Sequence, residues 1–190
     1  MTNANSRRPA PASALTCAAL AALSLAGTMQ LAHAQGTVAP VPAALAVLPS
    51  QPLVLEASAS GVQIYVCRAG KDEQSGLQWV FSAPEADLFD KSGRKIGRHY
   101  AGPTWELDDG SKVIGEVVAR DGGPDASAIA WLLLKAKETA GAGLLGRTVS
   151  IQRVATVAGK APGPHCEKAE EGREFRSPYR ATYNFYAAPR

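Results

Sequence analysis

The densest run of reactive side chains in the chain is Gly97-Arg98-His99-Tyr100-Ala101-Gly102-Pro103-Thr104-Trp105-Glu106. Histidine titrates near neutrality and can exchange a proton with a reacting group, and a carboxylate such as Glu106 can orient it or act as the base. If two short strands meet here, Arg98, His99, Trp105 and Glu106 line one pocket with a planar wall and polar groups. In the competing reading, His99 and Trp105 are core-edge residues whose ring nitrogens are satisfied by backbone. For one histidine with no metal partner at ligand spacing, that second reading is preferred, and no residue is given a catalytic role.

Cysteine and histidine also occur as Cys67, His99, His165 and Cys166, formally a two-Cys, two-His set. None shows the close paired spacing of a structural zinc site, and His165 and Cys166 are adjacent, so no metal is expected. Cys67 and Cys166 are instead expected to form a disulfide, the single pairing open to two thiols in an exported chain. It closes a ring of about 100 residues, for which chain entropy gives up to ~4.7 kcal/mol.

Gly141-Ala142-Gly143-Leu144-Leu145-Gly146 is a formal G-x-G-x-x-G. The motif holds a pyrophosphate only where the glycines lead from a strand into a helix N-terminus. The residues that follow, Arg147 to Ile151, favour a strand, so the run is read as a connection between strands and no cofactor is expected. There is no G-x-S-x-G to seat a nucleophilic serine. Asp108 and Asp109 precede Gly110 and read as turn residues.

The elements that position these residues are β-strands. Val62 to Arg68 alternates, with Val62, Ile64 and Val66 on one face and Gln63, Tyr65 and Cys67 on the other. Leu77 to Ser82 is aromatic and branched, and Pro84 to Asp90 suits a helical turn. Thr104–Leu107 and Lys112–Ala119 flank Asp108-Asp109-Gly110-Ser111 as a hairpin. Ile129 to Lys135 reads as a buried strand, Arg147 to Val157 as a β-branched one. In Tyr179 to Ala187, Tyr179, Tyr183 and Phe185 share a face. About eight short strands and no long amphipathic helix predict an all-β fold, an antiparallel sandwich or barrel.

The chain's first part reads differently. Arg7 and Arg8 precede a thirteen-residue apolar run from Ala14 to Ala26, and Ala32-His33-Ala34 has small residues at its first and third positions. These are the three parts of a secretory signal, with cleavage expected after Ala34. The apolar run is too short to span a bilayer core of ~30 Å, so no membrane span is expected after cleavage. Removing 34 of 190 residues leaves 156, and residues 53–190 are expected to form a single β-rich domain. Residues 35–52, with four prolines and no charge, read as a linker, extended or at a sheet edge. The loss of Arg7 and Arg8 reduces the net charge from +3 to +1, which gives no electrostatic reason for a nucleic-acid partner.

Seven strings carry a family resemblance: GVQIYVCRA (61–69), WVFSAPEADLFD (79–90), IGRHYAGPTWE (96–106), DGSKVIGEVVA (109–119), WLLLKAK (131–137), SIQRVATVAGKAP (150–162) and PYRATYNFY (178–186). Together they resemble the exported domain-of-unknown-function family numbered 3455, from about Leu53 to Tyr186. The resemblance implies a secreted or periplasmic β-rich domain and carries over no activity, substrate or catalytic residue. Two functions are expected from the residues themselves. One is a non-catalytic exported module that binds a small molecule, glycan or envelope component, or has a structural role there. The alternative is an enzyme of unknown reaction centred on His99 and Glu106.

Overall fold

The computed structural model describes residues 40–70 and 76–189, so the expected export signal and its expected cleavage point lie outside the described residues. Eight antiparallel strands follow one another around a ring: β1 Leu53–Ala69, β2 Leu77–Phe89, β3 Lys95–Tyr100, β4 Thr104–Leu107, β5 Lys112–Asp121, β6 Trp131–Ala140, β7 Thr148–Ala158 and β8 Glu174–Ala187. Each pairs with its neighbours in sequence, and β1 pairs with β8 to close the barrel. Closure removes the unpaired strand edges that an open sheet would expose. Among the described residues no helix is long and apolar enough to cross a membrane.

Side chains alternate between the wall's two faces. On β1 the inner face carries Ala57, Ala59, Gln63 and Cys67, while Val62, Ile64 and Val66 face outward and stay half-buried. The mostly apolar half of the barrel interior is filled by Ala57, Leu88, Leu107, Val113, Ile151 and Phe185. Leu145, from the 3-10 turn Leu144–Arg147, is buried with them. Strand approach is close enough that a Cβ at Gly61 would lie 2.1 Å from the carbonyl oxygen of Glu85, so only glycine fits there.

Two local expectations are corrected. Pro84 to Asp90 makes no helical turn, because β2 runs through to Phe89. Strand β3 pairs with β2 only from Ala86 onward, and the register with β1 shifts at Ser82, so Pro84 sits at a free edge beside a bulge, where a missing N–H costs nothing. The Pro/Ala-rich segment does not run free either. From Pro40 it turns through a 3-10 turn at Ala43–Leu45, and Leu45 packs on Trp131 and Val154 outside the wall. Its carbonyl accepts a hydrogen bond from Gln152 Nε2 at 2.6 Å.

The disulfide is present: Cys67 and Cys166 are bonded, with Cα atoms 6.0 Å apart. It fastens the long connection between β7 and β8 to the end of β1, where Cys166 N also donates to Leu77 O at 3.2 Å. The run Gly141 to Gly146 joins the antiparallel strands β6 and β7. The N–H of Leu144 donates to Asp109 Oδ2 at 2.9 Å.

Candidate functional site

Strands β3 and β4 meet as the sequence suggests, but the register sets Arg98 opposite Glu106 and His99 opposite Trp105. Neighbouring residues on a strand point to opposite faces, so the four candidates separate into two pairs. Arg98 and Glu106 stand outside, joined at 3.2 Å, and Glu106 also accepts from Tyr100 Oη at 2.6 Å. Those two hydrogen bonds, from Tyr100 first and Arg98 second, hold the Glu106 carboxyl below its ordinary range. Glu106 therefore does not orient His99.

His99 and Trp105 lie inside, 3% and 1% exposed. Their rings stack at 4.3 Å and 9°, and Tyr183 meets both edge-on, at 5.0 Å from His99 and 5.2 Å from Trp105. His99 Nδ1 lies 2.8 Å from the carbonyl oxygen of Thr104. A carbonyl only accepts, so Nδ1 carries the hydrogen and Nε2 is left as an acceptor. Burial pushes the His99 pKa down from 6.5 to about 3, against the bond to Thr104 and with help from the nearby Arg153 charge. The ring is neutral at physiological pH and is no ready proton donor.

This aromatic layer borders a cavity of about 480 Å³ in the barrel. Pro84, Val117, Ile129, Leu132 and Leu134 supply apolar wall, and Tyr65 and Phe81 meet edge-on at 5.8 Å in the same lining. The Tyr65 hydroxyl donates to Gly159 O at 2.7 Å. Gly159 has φ +86°, and a Cβ there would lie 2.7 Å from Tyr179 Cβ, which explains glycine at the position that accepts the Tyr65 hydroxyl.

The polar groups of the lining are unevenly satisfied. Arg153 donates from Nε and Nη2 to the carbonyl of Ala130 at 3.1 and 2.8 Å, which fixes its guanidinium in the wall. Trp105 Nε1 is buried with no hydrogen-bond partner, and Gln63, only 2% exposed, has its amide beside the Tyr179 hydroxyl without a hydrogen bond of full geometry from Nε2. A buried donor without an acceptor costs about 1–3 kcal/mol, so the one at Trp105 calls for an explanation. Burial raises the hydroxyl pKa of Tyr179 and Tyr183, and both phenols remain protonated. Sequence reasoning missed Gln63, Tyr65, Arg120, Arg153 and Tyr183. The available signal was alternation: Gln63 shares a strand face with Tyr65 and Cys67, and Arg153 with Ile151.

A second depression, on the outer face of β1, β2 and β3, is bordered by Ser60, Glu85, Asp87, Arg98 and Tyr100. Its charges are already paired: Arg176 with Glu85 at 2.8 Å, Lys95 with Asp87 at 2.6 Å and Arg98 with Glu106. The interior cavity is the better candidate because Trp105 Nε1 in its lining still lacks a partner.

The sequence profile of a family described as "Protein of unknown function (DUF3455)" matches residues 49–187. No curated protein matches the chain.

Proposed function

We propose that this chain, which belongs to the DUF3455 family of proteins of unknown function, is an exported, non-catalytic module that takes up one small organic molecule inside its barrel. The observation that carries the reading is the cavity of about 480 Å³ beside Trp105, whose Nε1 is a buried donor with no partner, and Gln63, whose Nε2 makes no hydrogen bond of full geometry. An eight-stranded barrel has an interior just wide enough for side chains or for one small ligand. Here side chains fill one part and leave the other open. The size falls in the range of about 300–1,000 Å³ typical of small-molecule sites, and mostly apolar walls with a few placed polar groups match their composition. Neutral His99, with Glu106 on the other face of the wall, favours binding over proton-transfer chemistry. Export is supported by the signal pattern before Gln35 and by the Cys67–Cys166 bond, which persists in oxidising compartments.

Binding is tested with 1-aminoanthracene, an uncharged dye whose emission rises in apolar surroundings. Titration into the protein should give saturable binding at one site per chain and quench the emission of Trp105 in the cavity lining. Val117→Trp, which narrows the cavity, should abolish the dye signal while the barrel's circular dichroism is retained. A dye response absent from the native protein, or undiminished in the filled variant, refutes the reading. Intact mass of the exported protein should place its first residue at or near Gln35.

A further inference from the structure

The cavity carries more information than its size. Among its lining residues are three cations, Arg120, Arg153 and Lys160, and no Asp or Glu. Lys160 is partly accounted for, since its Nζ donates to Ala126 O and it stands near Asp125. Arg120 and Arg153 have no carboxylate within ion-pair distance among the described residues. Arg153 is half-buried, and a half-buried cation without a counter-charge is unfavourable unless something supplies that charge. Arg120 belongs to the same lining but is exposed.

Arg153 is also held in place. The Ala130 carbonyl takes one N–H from Nε and one from Nη2, so the planar group is fixed before any ligand arrives. A guanidinium has five N–H donors, and its fork matches the two oxygens of a carboxylate. Trp105 Nε1 and Gln63 Nε2 add two buried donors in the same lining. All these groups are donors, so the molecule that pairs with them must bring acceptors. Around them Pro84, Val117, Ile129, Leu132 and Leu134 would receive an apolar body.

Resting on the reading of the cavity as a binding site, we infer that its ligand class is an amphipathic organic monocarboxylate, its carboxylate held by Arg153 with Arg120 and its apolar body against the aromatic layer. Metal chemistry has no comparable support here, since the lining offers no acid to hold a cation.

The experiment is displacement of bound 1-aminoanthracene from the native, disulfide-bonded protein by matched pairs: 1-naphthoate against 1-naphthamide, and decanoate against decanamide. In at least one pair the acid should compete about 10- to 100-fold better than its amide, the range expected for hydrogen bonds to a charged partner. Arg120→Gln and Arg153→Gln should each still bind the dye and should lose most of that preference. The Arg120 variant guards against the possibility that removing Arg153 disturbs Ala130. If the dye binds but acids and amides compete alike in both pairs, or the preference survives both substitutions, the carboxylate assignment falls and the cavity reading stands. If the dye does not bind the native protein, the cavity reading itself falls.

Discussion

His99 offers the sharpest quantitative test of the barrel interior. Its pKa is about 3 in the folded protein and 6.5 when unfolded. The unfolded chain therefore takes up a proton below pH 6.5 that the folded chain refuses. Stability from this group is fully present above 6.5, and falls as pH drops from 6.5 toward 3. One pKa unit corresponds to about 1.4 kcal/mol, so going from pH 7.5 to 5 removes about 2 kcal/mol. For a domain of this size that is a fall in Tm of about 4–8 °C. The carboxylates held below their ordinary range, Asp90, Glu106, Asp109 and Asp125, stay charged over this interval and contribute little to the change. The comparison variant is His99→Phe, which keeps an aromatic ring against Trp105 and removes the titrating group. It removes the His99 bond to the Thr104 carbonyl, so it starts about 0.5–1.5 kcal/mol less stable at pH 7.5. Its loss between pH 7.5 and 5 should nonetheless be smaller than that of the native protein by about 2 kcal/mol. Denaturant unfolding at both pH values measures all four stabilities. Equal losses in the two proteins would refute the claim that His99 is buried and neutral.

Replacing both Cys67 and Cys166 with Ser should cost about 2–5 kcal/mol in denaturant unfolding, and non-reducing peptide mapping of the native protein should yield one linked pair. Leu45→Ala removes a fully buried side chain over Trp131 and should cost about 2–5 kcal/mol, whereas Leu48→Ala, at a position 65% exposed, should stay within about 0.5 kcal/mol. Asp109→Ala frees the N–H groups of Ser111 and Leu144 and should lower stability by about 1 kcal/mol, seen as faster amide exchange at Leu144. Gly61→Val sets a side chain into the Glu85 and Ala86 backbone, and should leave no cooperative thermal transition.

Much of the fold was legible one segment at a time. The alternation from Val62 to Arg68, the Asp-Gly turn before Lys112 and the shared face of Tyr179, Tyr183 and Phe185 each depend on residues close in sequence. Local backbone preference and a period of two are enough to read them. The disulfide was legible for a different reason: reading residues 1–34 as a cleaved signal leaves Cys67 and Cys166, which have a single intramolecular pairing. Pro84 misled because its meaning depends on what lies beside it. A proline before an acidic residue suits a helix start, but it also fits a strand wherever the neighbouring strand has stopped pairing, and that edge exists only once β3 has docked.

Closure, filling and charge were decided in three dimensions. Sandwich and barrel share strand patterns, and the pairing of β1 with β8 that separates them joins the two ends of the domain. The candidate cluster from Arg98 to Glu106 shows the same division. Composition singled out His99 and Trp105, and alternation already forbids Arg98 from sharing their face. The partner of His99 turned out to be the carbonyl of Thr104, and the nearby cation to be Arg153, more than fifty residues away in sequence. Side-chain type alone determines which residues are able to carry charge or give a hydrogen. Whether a donor is left without an acceptor depends on every strand that encloses it, and so the unmet donor of Trp105 and the unpaired charge of Arg153 became visible only in the closed barrel.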